Sequence, residues 1–134
     1  MALVHNDGFM QAEDKCAHEH QSSQDAELHR ALVRLADAGV QLLNQSVLLA
    51  GVNDDADALI TLSETLFTAR VLPYYLHLPD RVAGTRHFHV STKCALGLYS
   101  QMRYRLPGYL VPRLARELPG DAAKQWLSAG TAGD

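Results

Sequence analysis

Several residues of this chain are of types that could do chemistry. The apolar run VLPYYLHL, from Val71 to Leu78, carries a histidine, ends on Pro79, and is followed by a carboxylate, Asp80, and then Arg81. Such an ending is open to two readings: a plain Pro-Asp turn, or a strand delivering an acid to a binding site. Asn44-Gln45-Ser46 interrupts a second apolar run. Polar side chains inside a strand are costly unless hydrogen-bonded, so these either hold strand register as a buried pair or serve a site. His18 and His20, and again His87 and His89, stand at alternate positions. On a strand each pair would face one way and could chelate zinc, but surface or loop histidines are the simpler reading, and no metal site is expected. Lys124 follows Pro119-Gly120 in a stretch of small residues. A lysine nucleophile needs burial or a nearby cation to become neutral, and nothing local supplies either, so its neighbours read as a solvated tail.

Alternating elements must position these residues. A helix is expected from Ser23 to Ala38, with Ser22 or Ser23 as its cap, Leu28, Leu32 and Leu35 at helical spacing, and Gly39 as its stop. VQLLNQSVLL, residues 40–49, reads as a strand buried on both faces. Asn53 or Asp54 caps the next helix, 55–69, which carries Leu59, Leu62, Leu66 and Phe67 on one face. The strand ending at Asp80 follows, with Pro73 tolerable near its start. Ser91 caps a third helix, 92–105, with Ala95, Leu98 and Met102 inward and Cys94 on its apolar face. GYLVPRLARE, ending at Glu117, reads as the third strand, its pairing limited by Pro112. Helices alternating with uncharged strands predict an α/β fold with a parallel sheet. Working residues then belong at the carboxyl ends of the strands. The expected division is an irregular N-terminal arm over 1–22, a partial α/β unit over 23–118, and a tail over 119–134.

The bulk numbers exclude several classes. At 134 residues the chain suits one domain with a modest core. A net charge of -3 gives no electrostatic case for nucleic acid or anionic membrane. Two cysteines far apart, Cys16 and Cys94, make no disulfide framework, and a cytoplasmic location is expected. No apolar run reaches the length of a membrane span, and no signal peptide is legible.

Four blocks in order, NQSVLL, GVND, PYYLHL with DRV and HF beyond it, and GYLVPRLARE, resemble the lysine 2,3-aminomutase family. They are most similar to the branch that serves beta-lysylation of elongation factor P, and the likeness runs from about Cys16 to Lys124. It implies the closing part of a radical SAM-type partial (β/α) barrel. Family members use pyridoxal phosphate, S-adenosylmethionine and a [4Fe-4S] cluster. The cluster cleaves S-adenosylmethionine to a radical that takes hydrogen from the β-carbon of lysine, and the amino group migrates to that carbon. By resemblance Lys124 falls on the pyridoxal phosphate lysine. Asp80 falls on the carboxylate that holds the substrate's distant ammonium, and Glu117 on a second acidic position. Gln45 falls on the glutamine of the NQS motif, near the cofactors.

The departures are as informative. Cysteine thiolates hold such clusters in a Cys-x3-Cys-x2-Cys motif, which this chain lacks. Arg70 stands where the family has glycine, and Pro79 where it has leucine. Ala-Lys-Gln-Trp surrounds Lys124 in place of Ser-Lys-Thr-Pro, and residues 1–15 match nothing in the family. The reading is therefore the pyridoxal phosphate and lysine end of an aminomutase, truncated and inactive alone, completed by a missing N-terminal half or self-associating. The alternative is a non-catalytic α/β binding or oligomerisation module, or the product of a pseudogene.

Overall fold

The computed structural model describes residues 2–6, 15–79, 86–117 and 123–128; for 2–6 and 15–24 it describes the backbone alone. The elements are β1 (Ala2–Asn6), α1 (Lys15–Asp37), β2 (Leu42–Val47), α2 (Ala56–Thr68), β3 (Val71–Leu78), α3 (Thr92–Arg105), β4 (Arg113–Arg116) and β5 (Gln125–Trp126). Short 3-10 turns at Arg86–Phe88 and Gly108–Leu110 flank α3. The five strands lie side by side in chain order, β1 to β4 parallel and β5 antiparallel at the end. This is the expected α/β architecture. Strand order never doubles back, as it does in doubly wound sheets. Each β-α-β crossover steps the same way, so crossovers of the usual right hand put α1, α2 and α3 on one face of the sheet.

Two apolar clusters lie between that face and the helices. Leu42 and Val71 pack with Leu32 of α1 and with Ala69. Leu48, Leu76, Leu78 and Leu114 pack with Leu59 and Ile60 of α2 and with Ala95 and Met102 of α3. Leu43, Gln45, Val47, Tyr75 and His77, which point the other way, belong to neither.

Several expectations need correction. Within the stretch expected to be an irregular arm, 1–22, residues 2–6 form β1 and α1 begins at Lys15. Lys, Ala, Glu and Gln are good helix formers, so this polar stretch can extend a helix without apolar period. The tail contains β5. Of the three leucines at helical spacing in α1, only Leu32 is buried; Leu28 and Leu35 are exposed, as is Phe67 of α2. Cys94 is exposed, not on an apolar face. The third strand begins at Arg113, after Pro112, because Gly108–Leu110 closes a 3-10 turn.

Asp55, not Asn53 or Asp54, caps α2, its carboxylate accepting from Ala58 N at 3.0 Å. The two earlier side chains build the turn at the end of β2 instead. Asn53 accepts from Leu49 N at 2.7 Å and donates to Val47 O at 2.8 Å. Asp54 accepts from Gly51 N at 2.9 Å, where Gly51 has φ +73°. Other expectations hold: Gly39 ends α1 at φ +86°, and Ser91 caps α3, accepting from Cys94 N at 3.2 Å.

Candidate functional site

Alternation along β2 separates the NQS triplet into two roles. Asn44 and Ser46 face the helices, 2% and 4% exposed, and Ser46 Oγ donates to Asn44 Oδ1 at 2.7 Å. They are the buried polar pair. Gln45 points the other way, and its Nε2 lies 2.5 Å from Nε2 of His77 on β3. This contact ties β2 to β3 across the sheet.

A register shift in β3 puts His77 there. Asn44 pairs with Pro73 and Gln45 with Tyr75, so Tyr74 is the extra residue of a bulge. Pro73, which has no N–H to donate, precedes the point where β4 begins to pair, at Tyr75. After the bulge, Tyr75 and His77 share the face of Gln45, and their rings stack at 5.3 Å. Both are buried.

β4 continues this face. Arg113 pairs with Tyr75 and Ala115 with His77, so Glu117, two residues on, follows on the same side. On the other side Arg116 donates to Thr92 Oγ1 at 2.8 Å, tying β4 to the start of α3. The antiparallel return into β5 brings Lys124 back beside the end of β4. Its ammonium forms an ion pair with Glu117 and lies 5.6 Å from the centre of the Tyr75 ring. The hydrogen bond and charge of Lys124 hold the Glu117 carboxyl below the usual glutamate range, against a smaller opposing effect of desolvation.

The face outside the core clusters thus carries Gln45, His77, Tyr75, Glu117 and Lys124. Three of these, Gln45, Glu117 and Lys124, are sequence candidates. Lys124 was read as a solvated tail residue from its neighbours alone; β5 instead makes it half-buried and paired. Asp80 lies outside the described residues. The parallel pairing of Leu78 with Arg116 sets the ends of β3 and β4, the elements that lead to Asp80 and Glu117, side by side. His77 and Tyr75 were not singled out as site residues. The signal was present as a histidine two places after a tyrosine in an apolar strand, but the bulge decides which face they take.

Stacked aromatic rings, an amine and a carboxylate thus lie near one another at the ends of β3 and β4. An iron–sulfur cluster does not fit the described residues. They contain no group of three or more His, Cys, Asp or Glu that could hold a metal, and Cys94 is exposed on α3. No helix among them is long and apolar enough to cross a membrane.

No protein-family model matches the chain. Individual proteins do. The chain is 48% identical over 105 residues to the L-lysine 2,3-aminomutase of Haemophilus influenzae, covering 78% of this chain and 31% of that one. It is 47% identical over 105 residues to that of Escherichia coli K12, with the same coverage. To that of Buchnera aphidicola it is 42% identical over 109 residues, covering 81% of this chain and 32% of the relative. This chain therefore belongs with part of the L-lysine 2,3-aminomutase family, spanning about a third of the length of the curated relatives it matches.

Proposed function

We propose that this chain is the pyridoxal phosphate- and lysine-holding part of a lysine aminomutase, of the branch that makes beta-lysine for elongation factor P. One observation carries the reading. Gln45 on β2 contacts His77, Glu117 at the end of β4 pairs with Lys124 on the approach to β5, and both pairs fall on the side of the sheet that the core clusters leave out.

Each side chain has a task that its setting supports. Lys124 is the attachment point, and Glu117 holds it until it is taken. An amine attacks a carbonyl carbon only when neutral, so the ion pair with Glu117 must open first. Glu117 and Asp80 would be two carboxylates for a lysine side-chain ammonium, the partner such a cation needs to be fixed in position. Tyr75 presents a ring against which a flat molecule packs. Gln45 fixes the orientation of His77, whose ring extends that surface. Bound here, pyridoxal phosphate supplies an electron sink attached to the amino group of an amino acid. No step through an iron–sulfur cluster or S-adenosylmethionine is assigned to these residues.

The test is covalent. The chain is incubated with pyridoxal phosphate, reduced with borohydride, digested and mapped by mass spectrometry. One modified residue, Lys124, is expected, with labelling lost in Lys124→Ala and slowed at acid pH. Equal labelling of Lys93 and Lys124 would refute the reading.

A further inference from the structure

We propose that the cleft between α3 and the β4–β5 edge binds a small organic anion with a flat aromatic body. A cavity of about 340 Å³ opens there, within the size range of small-molecule pockets. Its floor includes Leu114 and Leu127, both members of the larger core cluster. Tyr99 and Trp126 add aromatic surface, and Trp126 is 59% exposed. Two guanidinium groups line it, Arg103 from α3 and Arg113 from β4, and among the described residues no Asp or Glu does.

The charges set the ligand class. Among the described residues neither Arg103 nor Arg113 has an ion-pair partner, whereas Arg70 and Arg105 both do. The chain as a whole carries a net charge of -3, so two arginines with no ion-pair partner among the described residues, beside the apolar Leu114 and Leu127, are a local reversal. An anion is favoured at such a place. Arg113 stacks over the Trp126 ring, its central carbon 4.2 Å from the ring centre. A stacked guanidinium keeps its in-plane N–H groups available for an anionic oxygen. The negative group then meets the two arginines while the flat body covers Trp126 and the leucines. Gln45, His77, Glu117 and Lys124 do not line this cavity, although Arg113 pairs with Tyr75 of the candidate site, so the Lys124 variant is what separates the two.

The chain carries its own reporter, since Trp126 is its only tryptophan. The probe is 1-anilinonaphthalene-8-sulfonate, an aromatic anion that accepts energy from tryptophan. Its uncharged counterpart is N-phenyl-1-naphthylamine. The sulfonate is expected to quench Trp126 saturably at one equivalent, and the neutral compound to bind about tenfold more weakly, the loss of one charge-assisted contact. Arg103→Gln and Arg113→Gln should each weaken the sulfonate about tenfold, Arg103→Gln leaving the neutral compound unchanged, while Lys124→Ala leaves both unchanged. Arg113→Gln also unstacks Trp126, so circular dichroism verifies its fold and Arg103→Gln provides the independent arm. Equal binding of the two compounds, indifference of sulfonate binding to both arginine variants, or its loss in Lys124→Ala would each overturn the proposal.

Discussion

Replacing Arg70 with glycine should stabilise the chain. Arg70 closes α2 with φ +60°, the only described non-glycine residue at positive φ, and Val71 begins β3 immediately after it. A residue with a Cβ in the left-handed region is disfavoured by about 1–2 kcal/mol. Glycine removes that strain but frees the unfolded chain, which returns about 0.4–1 kcal/mol. The Arg70–Asp37 ion pair is also lost; its side chains are 54% and 62% exposed. Screened by solvent, such a pair contributes at most about 0.5 kcal/mol. The net for Arg70→Gly is a gain of about 0.5 kcal/mol. Arg70→Ala loses the pair and keeps the strain, so it should cost up to about 0.5 kcal/mol by the same reckoning. The two variants are then separated by about 1 kcal/mol, read as a shift in urea midpoint at constant slope. Arg70→Gly less stable than Arg70→Ala would refute the argument, because it would mean that residue 70 does not hold the left-handed conformation. The position matters for function too, since it sets the entry of the strand that carries Tyr75 and His77.

Three further outcomes follow from the site. Glu117 should titrate below the ordinary glutamate range in a carbon-detected NMR titration and move up in Lys124→Ala, because Lys124 is the main cause of its depression. The sign is that of a lowered acid: the contact's stabilisation is present above the ordinary glutamate value and is lost as pH falls through the folded one. No change in Lys124→Ala would contradict the pairing. Ser46→Ala removes a buried donor to Asn44 and should destabilise by about 1–3 kcal/mol in urea, while Lys124 in the folded fraction still takes pyridoxal phosphate; loss of that labelling would show that the helix-facing pair also serves the site. Supplied anaerobically with iron, sulfide, S-adenosylmethionine, reductant, pyridoxal phosphate and lysine, the chain should form no beta-lysine above a no-protein control. It has two cysteines against the three thiolates of the family's cluster motif, and β-lysine formed by the isolated chain would show that reading to be wrong.

The alternation of uncharged strands with amphipathic helices was legible because each strand is flanked by its own turn signals. Gly39 and Ser91 sit where local chemistry demands them. The division of NQS was only half legible. Period-two alternation says that Gln45 faces away from Asn44 and Ser46, but not which face the helices cover. That depends on every crossover stepping the same way, a property of the whole sheet. His77 and Tyr75 were harder still, since the bulge at Tyr74 reverses the face of each residue after it. β5 and the setting of Lys124 were invisible in composition, because a two-residue strand carries no period. The resemblance to aminomutases marks Lys124, which local pattern does not. The exposed Leu28, Leu35 and Phe67 show the opposite failure: helical spacing marks a stripe, while burial depends on what packs against it.

The face that holds ligand can be read from two neighbouring side-chain amides. Asn44 and Gln45 are adjacent in β2 and point to opposite faces of the sheet, Asn44 into the core and Gln45 toward His77. In a nitrogen-15 NMR titration with L-lysine in the presence of pyridoxal phosphate, the Gln45 side-chain amide should shift saturably while that of Asn44 stays in place. A shift of Asn44 with Gln45 unmoved, or no saturable shift of Gln45, would contradict the assignment of the helix-free face as the site.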